Sequence, residues 1–307
     1  TEAISEANDP TSGDLNGGEA GDQIEIRPDA GTYVFDGADI TNDNTRITPL
    51  DGADVTFENN GTAETLNVSA SNVEIDGVSF DQASNSQDAI RINGSVDNTQ
   101  ITASTFTNIN DTSGQAVLNV SDGAGSVTVD NSEFVGDGVA ATAIDAGAID
   151  DSGDNLDLTV TNTDITGFDD ADGTNGSAID LVNGISAATI ESNNFENNDQ
   201  HVDDEAGVTN LNTVFAGASN DFAGQYVTIE DSSGNIQESI YGDLDTANAT
   251  NTELDGAADR TVTVAGEHTV TSTINLANNS NDGTTVTAAG SGGTIVSDAD
   301  PVFNLST

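Results

Sequence analysis

The segment VEIDGVSF at positions 73–80 is the first of five related segments along the chain, and their spacing indicates the fold. Each ends in a Phe or Ile anchor that comes five positions after a β-branched residue, and successive anchors are 26, 28, 31 and 30 residues apart. Spacing of this length is typical of solenoid proteins, in which each repeat forms one coil. The related segments are QITASTF (100–106), VTVDNSEF (127–134), LTVTNTDI (158–165) and TIESNNF (189–195).

A second series of apolar segments follows the first at a similar offset: AIRI (89–92), AVLNV (116–120), AIDA (143–146) and AIDL (178–181). Apolar and polar residues alternate as in strands with one buried face, and residues typical of turns separate the segments. We therefore predict an all-β fold, a right-handed parallel β-helix. A β-sandwich is the rival architecture, but hairpin turns produce no repeat of coil length.

The start of the chain resembles a known superfamily. EAISEAND (2–9), followed by AGDQIEIRPDAGTYVF (20–35), is similar to the opening of right-handed β-helices of the pectin-lyase-like superfamily. These begin with a short capping helix, a Gly-Asp turn, an apolar strand and a Pro…Gly-Thr-Tyr turn. The resemblance covers roughly residues 2–210 and implies an architecture rather than a function, since one fold hosts many activities.

The C-terminal region restarts the pattern. AADRTVTV (257–264) matches AGDQIEI at an offset of 238, and PVFNLS (301–306) matches ETLNVS (64–69) at an offset of 237. We predict a parallel β-helix with an N-terminal cap over 1–215, a connector over 216–249, with a hairpin as one possible form, and a second β-helix-like segment over 250–307.

If this alignment holds, the second segment ends in a coil with no cap of its own. A longer tandem array, a cap formed by the connector and a stacked second subunit are the three explanations, and the third is our hypothesis. Head-to-tail stacking of identical units generates filaments when it does not close into a ring. The expected interface comprises Ile295, Val302, Phe303, Leu305, Ile24 and Ile26.

The charge balance points to very salty surroundings. The chain has 54 Asp and Glu against 4 Lys and Arg, all arginine, for a formal net charge of −50. Such repulsion opposes folding at ordinary ionic strength, but in roughly 1 M salt the screening length is about 3 Å. The composition resembles that of proteins from extreme halophiles. Intrinsic disorder is the alternative, disfavoured by the strict apolar periodicity. Nucleic acid and anionic lipid need basic partners, so neither is expected.

Several features favour a location outside the cell or at its surface. No apolar run reaches the ~18 residues of a membrane span, so we expect no membrane insertion. The absence of Met, with Thr at position 1, suggests removal of a signal peptide, and the absence of Cys excludes disulfides. Candidate N-glycosylation sequons begin at Asn60, Asn67, Asn93, Asn110, Asn119, Asn175, Asn248, Asn278 and Asn304, and glycans are possible partners.

The sequence offers little for catalysis, and we assign no catalytic residue. Lyases of the superfamily use an Arg or Lys base with calcium, whereas this chain has four scattered arginines. Its hydrolases use clustered aspartates in four motifs: Asn-Thr-Asp, Asp-Asp, Gly-His-Gly and Arg-x-Lys. Only the first two have counterparts here, Asn162-Thr163-Asp164 and Asp169-Asp170, and the second follows the first too closely in sequence. We interpret Asn131, Asn162, Asn193 and Asn194 as turn residues that can form amide ladders.

Metal binding has weak support, and we expect no cofactor beyond a weak calcium or magnesium site. FDDADGTNG (168–176) offers the hard oxygen ligands that these ions prefer, but it lacks EF-hand spacing. His201, in NNDQHVDDE (197–205), could join a cation site, although we favour a loop residue. His268 matches a turn position and is expected to be structural.

We expect an extracellular structural or adhesive β-helix, such as a subunit of a filament or surface layer, and not an enzyme. A secreted polysaccharide lyase or glycoside hydrolase is the first alternative, and a carbohydrate-binding appendage such as a viral tail fibre is the second. A groove that holds an Arg with several convergent carboxylates would favour the enzyme. A subunit contact that buries Phe303 and Leu305 would favour the assembly.

Overall fold

Short strands form wherever apolar and polar residues alternate. In VEID, Val73 and Ile75 are 1% and 0% exposed, while Glu74 and Asp76 lie half-exposed on the other face. A residue with positive φ then turns the chain before the Phe anchor, so each segment of the first series forms two strands in different sheets. These turn residues are Gly77, Ala103, Asn131, Asn162 and Ser192.

The computed structural model describes residues 23–35, 37–59, 61–82, 87–109, 116–136, 138, 141–149, 156–169, 176–182, 185–204, 209–217, 219–250, 260–270, 273–275, 284–297 and 303–304. They form a parallel β-solenoid of about eight turns, which confirms the predicted fold class. In the N-terminal solenoid each coil contributes one strand to each of three sheets, whereas the sequence segments suggested two strand series.

The first sheet contains β1 (Ile24–Ile26), β4 (Thr45–Ile47), β7 (Val73–Asp76), β10 (Thr99–Thr102), β13 (Ser126–Asp130), β16 (Leu156–Thr161) and β19 (Ile185–Glu191). The second contains β2 (Gly31–Phe35), β5 (Val55–Asn59), β8 (Ser79–Asp81), β11 (Thr105–Thr107), β14 (Glu133–Val135), β17 (Asp164–Thr166) and β20 (Asn194–Glu196). Within each of these two sheets every neighbouring pair of strands is parallel.

The third sheet has eleven strands and extends beyond the solenoid. Its parallel part contains β3 (Asp39–Ile40), β6 (Leu66–Val68), β9 (Ile90–Ile92), β12 (Ala116–Ser121), β15 (Thr142–Ile149), β18 (Ser177–Leu181) and β21 (Gln200–Asp203). The sheet continues through β23 (Ile236–Tyr241), β22 (Tyr226–Glu230), β24 (Arg260–Val270) and β26 (Thr284–Ser297). A separate pair joins β25 (Ile274–Asn275) to β27 (Phe303–Asn304).

The predicted anchors lie on top of one another in the second sheet. The in-register pairs run from Phe80 through Phe106, Phe134 and Ile165 to Phe195. All five side chains are 0% exposed, and the first three rings stack with centroids 4.8 and 4.4 Å apart. The repeat found in the sequence is therefore the coil repeat of the solenoid core.

The last coil of this solenoid is covered by its own chain. Helix α1 (Leu211–Ala216) begins at Asn210, whose side chain accepts a hydrogen bond from the Asn212 backbone N–H, and it buries Leu211 and Val214. The segment after α1 closes the edge of the second sheet, because the Phe195 N–H donates to the Asp221 carbonyl oxygen at 2.7 Å. The helix and the segment after it therefore cover part of the last coil, at its core and at the edge of its second sheet.

The connector contains a hairpin that reverses the strand direction. β23 pairs antiparallel with β21 of the last coil, and β22 pairs antiparallel with both β23 and β24. β24 and β26 then pair in parallel, as do β25 and β27, which is the stacking expected of a second β-helix-like segment. Helix α2 (Leu244–Thr250) packs beside β24 and β25. A short 3-10 turn lies at Leu50–Gly52. Among the described residues, no helix has the length and the apolar composition of a membrane span.

Candidate functional site

Strand β26 is the edge strand of the third sheet, and we call it the terminal strand. Its inward-facing residues are more exposed to solvent than those of its neighbour, β24. In β24, Val262 and Val264 are 0% and 2% exposed. Their in-register partners in β26 are Val286, which is 37% exposed, and Ala288, which is also exposed. Positions that face the core in one coil are therefore open to solvent in the next.

The rest of β26 is partly covered. Ile295, which pairs in register with the buried His268, is half-buried and packs against a second apolar cluster that includes Val262, Val264 and Ile274. Among the described residues β26 pairs with β24 alone, and the connector hairpin lies on the opposite side of β24. The connector therefore caps the first solenoid and does not cover this strand. An open strand edge with exposed apolar residues is a site for association.

The other predicted interface residues fall in different surroundings. Ile24 and Ile26 lie in the first strand, β1, where Ile26 is 8% exposed and belongs to the core, and Ile24 packs against that core. Phe303 lies in β27, paired in register with Ile274. Val302 and Leu305 lie outside the described residues.

The outer face of the third sheet carries a row of polar side chains. Adjacent parallel strands are about 4.8 Å apart, so in-register residues form a continuous column. Apolar residues alternate with this column and face the core. The column contains Asn67, Arg91, Asn119, Asp145, Asp180 and Asp203.

Arg91 is the cation of this column, and it forms an ion pair with a carboxylate of the preceding coil. Its Nη1 lies 3.0 Å from Glu64 Oε1, a pair separated by 27 residues, which is one coil. Asp88, three positions before Arg91 in the chain, is 5% exposed. Burial raises the pKa of Asp88 to about 7, the charge of Glu64 adds to this, and the Arg91 guanidinium and a hydrogen bond from Asn119 oppose it. Such a carboxyl can hold a proton near neutral pH, as a general acid must.

Sequence reasoning missed this cluster because it treated the arginines as scattered. The coil period was the available signal: stepping back one coil from Arg91 leads to Glu64. The position of Asp88 just before β9 gave no such signal, since its burial depends on how neighbouring coils cover it.

Several of the candidate glycosylation asparagines already use their side-chain amides in hydrogen bonds. Asn67 Nδ2 donates to Asp39 Oδ1 at 2.7 Å, and Asn93 Nδ2 donates to Asn67 Oδ1 at 2.6 Å. A glycan replaces one of the two Nδ2 hydrogens, so it would break a bond at Asn93, which also donates to Ser69 Oγ at 2.8 Å. Asn119 donates to Asp88, and Asn248 Nδ2 donates to the Thr273 carbonyl oxygen at 3.2 Å. Asn304 lies in β27, whereas Asn60, Asn110, Asn175 and Asn278 lie outside the described residues.

The prediction of a loop position for His201 was wrong. It lies in β21 and is 1% exposed, because the hairpin covers it: its Nε2–H donates to the Gln225 carbonyl oxygen at 3.2 Å. Burial lowers its pKa to about 4. His268 lies in β24 rather than in a turn, and its Nε2 donates to the Ala265 carbonyl oxygen at 2.6 Å, a structural contact.

The acidic segment 168–176 contributes Phe168 to the core and Asp169 to a cavity of about 140 Å³, while residues 170–175 lie outside the described part. His201 and Asp243 also line this cavity, which lies between the last coil and the connector. Burial raises the pKa of Asp243, which caps α2 through Thr246. No group of three or more His, Asp or Glu side chains in the described chain is placed to hold a metal ion.

Two of the asparagines predicted in turns are confirmed as turn residues. Asn131 and Asn162 have φ near 50°, and Asn162 Nδ2 donates to Asp130 Oδ1 at 2.8 Å. Thr163, the centre of the Asn-Thr-Asp sequence, is 0% exposed. Asn193 lies inside the coil, where it donates to the Val160 carbonyl oxygen, and Asn194 begins β20.

Comparison with known proteins adds no family to this description. No family model, curated protein or solved structure gives a significant match to the chain. The fold and the geometry of its surfaces therefore carry the functional argument.

Proposed function

We propose that the chain is a structural or adhesive β-solenoid that acts outside the cell or at its surface, in salty surroundings, and that it associates through its open terminal strand. Under this proposal the chain resembles the pectin-lyase-like superfamily in architecture, but its role is not catalytic. The observation that carries the proposal is the exposure of Val286 beneath the buried Val262.

The charge distribution supports association at this strand. The chain carries a net charge of −50, yet residues 284–297 contain no charged side chain. Copies that meet through acidic parts of the surface bring carboxylates together, whereas contact through this strand avoids that cost at short range. The remaining long-range repulsion is screened in roughly 1 M salt, where the Debye length is about 3 Å.

A charged residue on the terminal strand tests the proposal. In Val286→Glu a carboxylate would be buried on association, so we expect assemblies seen by analytical ultracentrifugation in high salt to dissociate to monomers. Leu50→Glu is the matched control, because Leu50 is 36% exposed in the 3-10 turn, away from this strand. Wild-type protein that is monomeric under these conditions would contradict the proposal.

One observation favours a second candidate, a polysaccharide-processing enzyme. Arg91 forms an ion pair with Glu64, and both charges act on Asp88, whose raised pKa would let it supply a proton near pH 7. The test is incubation with acidic polysaccharides, followed by measurement of newly formed chain ends. Under this candidate, Asp88→Asn abolishes cleavage and Asp97→Asn, an exposed site on another face, retains it. A wild-type protein without cleavage activity removes the candidate.

A further inference from the structure

The strand β26 is bent into two arms. Its residues Thr284–Ala288 pair with Arg260–Val264, and after a bulge Gly293–Ser297 pair with Gly266–Val270. The first arm lies beside the part of β24 that also pairs with β22, so it is the edge of the eleven-stranded third sheet. Thr285, Val286, Thr287 and Ala288 are all exposed, which leaves both faces of this arm open.

We infer that the occupant of this edge is the same arm of a second copy, paired antiparallel about a two-fold axis. The inference rests on the proposed function and specifies its partner. It makes the assembly a closed dimer joined end to end, because an isologous contact uses the same surface on both subunits and leaves none to propagate.

The first coil of another copy is a poorer partner. Its inward residues Ile26, Phe35 and Ile40 are 8%, 2% and 0% exposed, so that end of the solenoid is already covered. It also presents the exposed carboxylates of Glu25 and Asp39. β2 is also an uncharged edge strand with an exposed valine, Val34, but its inward-facing Phe35 is buried. Within the described residues of β26, the exposed Val286 is itself the inward-facing residue, below the buried Val262.

The sequence of the arm suits antiparallel pairing with itself. In TTVTA (284–288) Val286 is central, so an axis through Val286 places it opposite its own copy and Thr285 opposite Thr287. Cross-strand pairs of β-branched residues and of threonines stabilise antiparallel sheets. Val286 lies on the inward face, below Val262, so the partner's Val286 would cover the apolar surface that is now open.

The absence of cysteine makes a disulfide test unambiguous. Directly opposed residues of an antiparallel pair have Cα atoms about 4.5–5.5 Å apart, within the range that a disulfide spans. We expect Val286→Cys to form a linked dimer of twice 31.1 kDa under mild oxidation in high salt. Val34→Cys is the control, because Val34 is 47% exposed but lies in the first coil, and it should stay unlinked.

The outcomes separate this inference from the proposed function. Wild-type dimers, together with the link at position 286, support both. Filaments, or a link formed when Val286→Cys is mixed with Ile24→Cys, overturn the two-fold contact but keep association through the terminal strand. Monomers with no link in high salt overturn both.

Discussion

Asp88 is a buried carboxyl group whose ionisation costs free energy in the folded chain. It is almost fully buried, and the charges that act on it most strongly are those of Glu64 and Arg91. Because its pKa in the folded state, about 7, lies above the ordinary 3.8, the folded chain binds a proton more tightly than the unfolded chain. Its contribution is therefore fully favourable below pH 3.8 and is lost as the pH rises through 7.

Replacement of this carboxyl by an amide should stabilise the protein at alkaline pH. We expect Asp88→Asn to raise the free energy of unfolding by roughly 4 kcal/mol above pH 7, the amount that a pKa shift from 3.8 to about 7 implies, and the gain should shrink towards pH 4. Urea denaturation at a series of pH values measures it. The control Asp97→Asn should have the opposite sign, because hydrogen bonds from Ser126 lower the pKa of Asp97. A difference at position 88 that does not change with pH would refute this account.

At the scale of the elements, stacked rings hold the second sheet together. Phe106 lies between Phe80 and Phe134, nearly parallel to both, and all three are fully buried. The next coil has Ile165 at the same position. A branched aliphatic side chain therefore fits this column as well, although it fills less volume than a ring.

Truncation of the central ring should open a cavity that the neighbouring coils cannot fill. We expect Phe106→Ala to lower the free energy of unfolding by about 3–5 kcal/mol, measured by urea denaturation in high salt. Phe106→Ile, which copies the coil at Ile165, should cost clearly less. Equal losses for the two variants would show that stacking geometry, rather than volume, sets the stability.

The coil repeat could be predicted because its cause is local and periodic. The anchors from Phe80 to Phe195 recur at coil length, and each must face the same core, so their register follows from spacing alone. The hairpin could not be read in the same way. Whether β22 pairs with β23, β24 or both depends on which edges the finished solenoid leaves open.

The sequence likewise predicts only part of the candidate site. The internal repeat predicts an interface at Ile295, whereas in the structure Ile295 is half-buried and the exposed inward residue of the same strand is Val286. Asp88 and His201 were missed or misplaced because their burial comes from chain segments distant in sequence: the Gln225 carbonyl reaches His201 from the connector.

For the whole molecule, salt decides whether the core can overcome the charge. With 54 Asp and Glu against 4 arginines, screening should raise the free energy of unfolding steadily from low salt to about 1 M. Each kcal/mol gained should raise the melting temperature by about 2 °C for a chain of this size. Thermal unfolding followed by circular dichroism checks this, with sucrose at matched osmolality as the control. A melting temperature independent of salt would contradict it.

The hairpin joins the first solenoid to the second segment through one continuous sheet, from β3 to β26. A pulling force along that stack would therefore act on the backbone hydrogen bonds between neighbouring strands. Such a rod resists stretching until two strands peel apart. Within that sheet the first step to yield should be β3 from β6, which share two residue pairs.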